Sequence, residues 1–265
     1  MSFRLRSSSA FDAAVFRWLG LRLGLALVAA ALAVGALRAA TAAEMSPEER
    51  QQIESVVRDY LLKNPDVLLE ALQGAKDKME SDAREKAVKA LTDHHAEIFD
   101  DPATPVGGNP QGDVSLVEFF DYRCPYCKQV EPSLEKLLAE DHGLRFVYKE
   151  LPVLGPDSVT AARAALAAVK QGKYAAFHTA MMAAKGQIND TVIYGVADEA
   201  GLDVQRLKTD MAAPEVDKAL KANLDLADLL DIRGTPGFVI GKEIIPGAVD
   251  IATLRQYIAT ARNAK

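Results

Sequence analysis

The sequence predicts an α/β fold that carries a large all-helical insertion and follows an N-terminal helical stalk. Three observations predict it. An apolar strand-like run, Val114 to Phe120, leads into Cys124-Pro125-Tyr126-Cys127 at the start of a helix. A second such run, Leu144 to Leu151, follows that helix and completes a strand–helix–strand unit. Residues 156–232 then read as helices throughout, before a β-hairpin and a last helix.

The chain has 265 residues with ordinary hydrophobic content, enough for one or two domains with a core. Its start has the layout of a signal peptide. Arg4, Arg6, Arg17 and Arg22 are basic, Leu23 to Leu37 is apolar and uncharged, and Ala40-Thr41-Ala42-Ala43 offers small residues for cleavage. An uncleaved membrane anchor is the other reading, but the apolar run is short of the roughly 20 residues that span a bilayer. Residues 1–43 are therefore expected to be removed and the protein to be periplasmic, where disulfides persist. Their loss takes Lys+Arg from 31 to 26 and Asp+Glu from 37 to 36, leaving a net charge of −10. No basic patch suggests nucleic-acid binding.

Residues 44–100 form the stalk. Ser46-Pro47-Glu48-Glu49 reads as a capping box with Pro at the first helical position. Ile53, Val56, Val57, Tyr60 and Leu61 recur at helical spacing. Asn64-Pro65 stops that helix and starts another with Asn64 as cap, running towards Ile98. Leu68, Leu72, Ala75, Met79, Ala83, Ala87, Leu91 and Ile98 mark a narrow stripe on this otherwise charged helix. Such a seam predicts pairing with other copies of the chain, against the alternative of a solvated helix. His94-His95 within it is a weak metal signal, because adjacent residues do not share a helix face.

Residues 101–265 form the second domain. Asp101-Pro102 ends the stalk, Thr104-Pro105-Val106 is an expected edge strand, and Gly107 to Gly112 is turn-rich. Pro125 to Asp141 is the helix after the first long strand, with a kink expected at Pro132. Lys149 and Glu150 close the second strand as expected surface groups. In the insertion, Asp190 and Asp203 suit helix caps. His178 reads as a packed or capped histidine rather than a ligand. Gly241-Lys242 turns the hairpin, and Asp250 caps the last helix.

The two cysteines are the only ones in the chain. As a structural disulfide they close a very short loop, worth only about 2 kcal/mol on the loop-entropy view. A structural zinc site wants more ligands than one pair. A CxxC beside a strand–helix–strand unit points instead to a thioredoxin-like redox fold. Cys124 lies where the helix N-terminus favours a thiolate, and Cys127, one turn on, can resolve a mixed disulfide. Glu118, six residues before Cys124 among Leu, Val and Phe, is expected to be buried, raised in pKa and able to move the Cys127 proton. The alternative is a wet strand face. Asp121 and Arg123 flank the site and either tune its field or are solvated.

Glu118 to Cys127 and Gly234-Thr235-Pro236-Gly237-Phe238, with Lys149 to Pro156 and Gly172-Lys173-Tyr174 between them, resemble the DsbA family of exported thiol–disulfide oxidoreductases over residues 104–262. The resemblance implies that Pro236 is cis and faces the dithiol, that Thr235 offers backbone groups to a peptide, and that an acid belongs at position 118. Pro125, Tyr126, Thr235 and Pro236 are then the residues that meet the substrate. Tyr60 to Leu68 is similar to the ScsC-like branch, some members of which trimerise through such a segment and act as disulfide isomerases, while others are monomeric. Pro-Tyr between the cysteines, in place of the Pro-His of strongly oxidising relatives, supplies no positive charge and predicts a milder oxidant.

The expected function is that of an exported protein thiol–disulfide oxidoreductase, an isomerase by preference. The redox-active Cys124–Cys127 pair would serve without a cofactor. Its partners would be unfolded or misdisulfided exported proteins, a membrane redox partner and, in a homotrimer, two further copies through residues 44–100. A DsbA-type oxidase is the nearer alternative. A copper-tolerance protein holding Cu(I) on Cys124 and Cys127 is the more distant one.

Overall fold

A computed structural model describes residues 45–264. The expected signal peptide lies outside the described residues. The chain divides into two compact units at Ala75/Lys76.

In the first unit, helix α1 (Pro47–Lys63) begins with the full capping box. The Ser46 hydroxyl accepts from the Glu49 N–H at 3.2 Å, and a Glu49 oxygen accepts from the Ser46 N–H at 2.9 Å. Helix α2 (Pro65–Asp93) starts here and continues into the second unit. Asn64 does not cap α2 with its side chain. Its Nδ2 donates back to the Tyr60 carbonyl at 2.8 Å, so its amide finishes α1. No residue of α1 is buried, and Val56, Leu62, Leu69 and Leu72 are all exposed.

In the second unit, α2 stops at Asp93 and a separate short helix, α3 (His95–Phe99), follows, where the sequence predicted one helix to Ile98. The break re-aims the chain so that Ile98 and Phe99 are buried in a cluster with Leu91, Val117, Phe119 and Val147. The end of the expected stalk is therefore core of this unit.

The sheet has five strands in the order β1-β3-β2-β4-β5. They are β1 (Val106–Gly108), β2 (Val114–Phe120), β3 (Leu144–Glu150), β4 (Gly237–Ile240) and β5 (Glu243–Pro246). β2 and β3 pair in parallel, with Glu118 beside Tyr148, and the other pairs are antiparallel. Helix α4 (Pro125–Glu140) crosses over between β2 and β3 and runs unbroken through Pro132. The insertion is α5 (Pro156–Ala168), α6 (Tyr174–Ala183), α7 (Asp190–Glu199), α8 (Val204–Met211) and α9 (Pro214–Leu229). Helix α10 (Ile251–Asn263) closes the chain.

Strand alternation divides the core in two. Leu116 and Phe120 of β2, with Phe146 and Tyr148 of β3, pack against α4, α10 and the first four insertion helices. Val117, Phe119 and Val147 face the other way, towards α3 and the end of α9. Asp203 and Asp250 cap as predicted, the first accepting from the Gln205 and Arg206 N–H groups at 3.0 Å and the second from the Thr253 N–H at 2.7 Å. The cap of α7 is Asn189, not Asp190, because the Asn189 oxygen reaches the Val192 N–H at 3.1 Å.

Lys149 and Glu150 are not surface groups. Both are buried, on opposite faces of the sheet. Lys149 Nζ donates to the Glu97 carbonyl at 2.8 Å and the Thr104 hydroxyl at 2.7 Å, with Asp101 Oδ2 at 3.6 Å. It fastens the chain around residues 97–104 to β3.

Candidate active site

Every residue of β2 from Leu116 to Phe120 is buried, so the strand delivers the chain to the site in a fixed position. The turn after it is built on Asp121. One of its oxygens accepts from the Arg123 N–H at 2.8 Å and the other from the Leu154 N–H at 3.0 Å, while its carbonyl accepts from the Cys124 N–H at 2.9 Å. Asp121 is thus structural, and Arg123 donates to the Leu154 carbonyl. Together they clasp the loop bearing the exposed Val153 and Leu154 beside the nucleophile.

Cys124 is the N-cap of α4 and Pro125 its first residue, the position where a missing N–H costs nothing. The Cys124 thiol donates to the Thr235 carbonyl at 3.2 Å. The Thr235–Pro236 bond is cis. The fold thus brings into contact two loops that lie 111 residues apart in the chain. Cys124 and Cys127 are both free thiols and both buried, whereas Tyr126 between them is 60% exposed.

Glu118 is fully buried and neither carboxyl oxygen has a hydrogen-bond partner. Burial holds its carboxyl well above the usual carboxylate range, and the charges of Glu131, Cys124 and Glu150 push the same way. Burial also pushes the Cys127 thiol up, with the charge of Glu118 next. Burial thus shifts both groups the same way, each towards its protonated form.

Several residues of the site escaped the sequence reading. Tyr122 and Tyr174 donate to the same Glu150 oxygen, at 3.1 and 2.9 Å. His178 is packed, as expected, but against Tyr122 Oη at 3.1 Å and beside Glu131. Burial raises Glu150, while its two tyrosine donors pull it back. Lys128, next to Cys127, donates to the carbonyls of Met181, Met182 and Ala184 at the end of α6, at 2.7, 3.2 and 2.8 Å. The one available signal was the i, i+4 placement of Tyr174 and His178, which puts both on one helix face. A cavity of about 670 Å³ opens behind the Thr235–Pro236 loop, walled by Leu229, Ile232, Ile244, Ala83 and Ala87. Among the described residues no group of three or more His, Cys, Asp or Glu gathers as a metal site.

A dithiol at a helix start, opposed by a cis-proline loop on a mixed sheet, defines the thioredoxin class of thiol–disulfide oxidoreductases. A family model described as a DSBA-like thioredoxin domain matches residues 115–259, and the chain belongs to that family. A second, described as the copper resistance protein ScsC N-terminal domain, matches residues 49–74. A thioredoxin-like oxidoreductase from Silicibacter pomeroyi is 46% identical with a TM-score of 0.63, covering 64% of this chain and 98% of that one. A linker-deletion variant of Proteus mirabilis ScsC is 30% identical with a TM-score of 0.64, covering 84% and 99%. The curated relatives are longer. A Na(+)/H(+) antiporter NhaA 1 of Salinispora arenicola is 31% identical over 158 residues, and the chain spans only about a quarter of its length (24%).

Proposed function

We propose that the protein is an exported disulfide isomerase that acts on misdisulfided proteins through Cys124 and Cys127. The observation that carries the chemistry is the Cys124 thiol at the start of α4, 3.2 Å from the carbonyl beside the cis bond. In the reduced enzyme, Cys124 attacks a substrate disulfide, forming a mixed disulfide and releasing one substrate thiolate. That thiolate attacks another disulfide of the client, and the last exchange returns Cys124. When the client stalls, Cys127 gives its proton to Glu118 and attacks Cys124. The client leaves reduced and the enzyme is left oxidised, to be re-reduced by a dithiol partner at the membrane. The cysteine pair itself carries the electrons, so the reaction needs no bound cofactor. Pro125, Tyr126, Thr235 and Pro236 border the approach to Cys124 and meet the client.

The preference for isomerisation rests on the first unit. Its apolar residues are exposed, and residues 49–74 match the ScsC N-terminal domain. Self-association through them, as a homotrimer, would hold several dithiols around one client at high effective concentration. Refolding of a scrambled multi-disulfide substrate, by residues 44–265 and by residues 76–265, tests this. Isomerase activity is expected to fall in the shorter chain while simple dithiol exchange persists. A monomer by light scattering for residues 44–265, with equal isomerase activity in both, sinks the proposal in favour of a DsbA-type oxidase.

A further inference from the structure

A cavity of about 560 Å³ opens beside the nucleophile, between the start of α4 and the loop that joins α6 to α7. Arg123 and Pro125, the two chain neighbours of Cys124, both line it. Lys128, one turn further along α4, and Lys185, in the loop opposite, complete a set of three cations around the space. No carboxylate lines it.

Three cations around one cavity stand out in a chain whose formal net charge is −6. Elsewhere in the second unit Arg163, Lys170, Lys221, Arg255 and Arg262 each lie beside a carboxylate. The cavity's cations do not. Arg123 donates to the Leu154 carbonyl, and Lys128 to the carbonyls of Met181, Met182 and Ala184. Their charges are thus fixed in place by partners that are themselves neutral. Lys185 is exposed, and its ammonium has no hydrogen bond or ion pair among the described residues. The nearby acids point elsewhere. Asp121 is buried and accepts from the Arg123 and Leu154 N–H groups, and Glu131 faces His178. A cleft walled by one sign of charge focuses its field on whatever enters, and here that favours an anion.

Position limits what the anion can be. The cavity borders both neighbours of Cys124, and an extended chain advances about 3.5 Å per residue. A side chain within a few positions of a client cysteine bonded to Cys124 therefore reaches it.

We propose that this cavity is a carboxylate subsite, in which Arg123, Lys128 and Lys185 select client segments that carry Asp or Glu within a few residues of the attacked cysteine. Arg123 and Lys128 supply charge at fixed points, and Lys185 is free to follow the ligand. The proposal rests on the reading of Cys124 as the nucleophile towards protein disulfides, and adds which of those disulfides it meets most readily.

The test compares two peptides with one internal disulfide, identical except for Glu or Gln beside each cysteine. The rate of reduction by the reduced protein is divided by the rate with dithiothreitol, which is uncharged and removes any difference intrinsic to the peptides. The Glu peptide is expected to be favoured about fivefold at low ionic strength, and to lose that advantage in about 0.5 M salt. Lys185→Glu is expected to abolish the preference and to favour a peptide with Lys in those positions. Equal corrected rates for the Glu and Gln peptides with the unsubstituted protein overturn the proposal, as does a preference that Lys185→Glu leaves intact. Glutathione disulfide carries carboxylates near its sulfurs too. If it alone responds to Lys185→Glu, the subsite serves a small thiol and the claim about clients is overturned. A Glu peptide with Ser in place of Cys separates the subsite from the dithiol chemistry. Its titration is expected to shift the amide NMR signals of Lys185, Gly186 and Gln187, while the matching Gln peptide leaves them in place. Unmoved signals refute the subsite even if Lys185→Glu fails to fold. Signals that move while no disulfide peptide is reduced uphold the subsite and refute the role of Cys124.

Discussion

Glu118 and Lys149 lie on neighbouring strands, each fully buried, and the fold treats them in opposite ways. Lys149, on the face towards α3, has a carbonyl, a hydroxyl and a carboxylate around its ammonium. Glu118, on the face towards the dithiol, has nothing on either oxygen. Burying a charge is costly unless it is paired and hydrogen-bonded. Lys149 meets that condition and serves the architecture. Glu118 fails it, and burial holds its carboxyl well above the usual carboxylate range. Glu150 stands between them, with one oxygen doubly bonded and the other bare.

Substitutions can break or sharpen this contrast. The largest effect is expected from Lys149→Ala, which leaves the Glu97 carbonyl, Thr104 and Asp101 facing a cavity. The cost should be about 3–5 kcal/mol by urea denaturation, and a loss under about 1 kcal/mol would erase the distinction. Lys149→Met, which keeps the volume, should lose less.

Glu118→Gln comes next and has the opposite sign. Its folded pKa is raised, so the folded state binds more protons than the unfolded chain. Its contribution to stability therefore falls as pH rises above the unfolded carboxyl value of about 4.3. The substitution should stabilise by about 1–2 kcal/mol at pH 8, by little at pH 4, and should slow Cys127 attack. Equal denaturation midpoints at pH 8 for the two proteins would mean that Glu118 carries no strain.

The smallest effect is expected at Asp101, the half-exposed outer partner of Lys149. Burial raises its carboxyl, but the Ala103 N–H, the Thr104 hydroxyl and Lys149 outweigh this and hold it below its usual value. That stabilisation is present above about pH 3.9 and is lost as pH falls through the lowered value. Asp101→Asn should cost about 1 kcal/mol or less at pH 7 and nothing at pH 2. A cost that does not change with pH would point to lost packing.

The sequence made the reactive face plain and left its support obscure. Cys124, Cys127 and the Thr235-Pro236 turn stood out because their chemistry is carried by residue type and short spacing. Glu118 was readable because both of its neighbours are apolar. Lys149 and Glu150 were misread because a charged pair at a strand end resembles a solvated one. Their partners, Glu97, Thr104, Tyr122 and Tyr174, come from separate elements that only the folded chain assembles. Asn64 and Asp190 show the same limit at shorter range. Each is a good cap by type, but the geometry gave one to the preceding helix and the role of the other to Asn189.

Lys128 has a mechanical meaning. Its ammonium grips three carbonyls at the end of α6, one residue past Cys127. Load on the start of α4 is therefore shared between that helix and the insertion. The turn that carries the dithiol is thereby fastened to two elements rather than one.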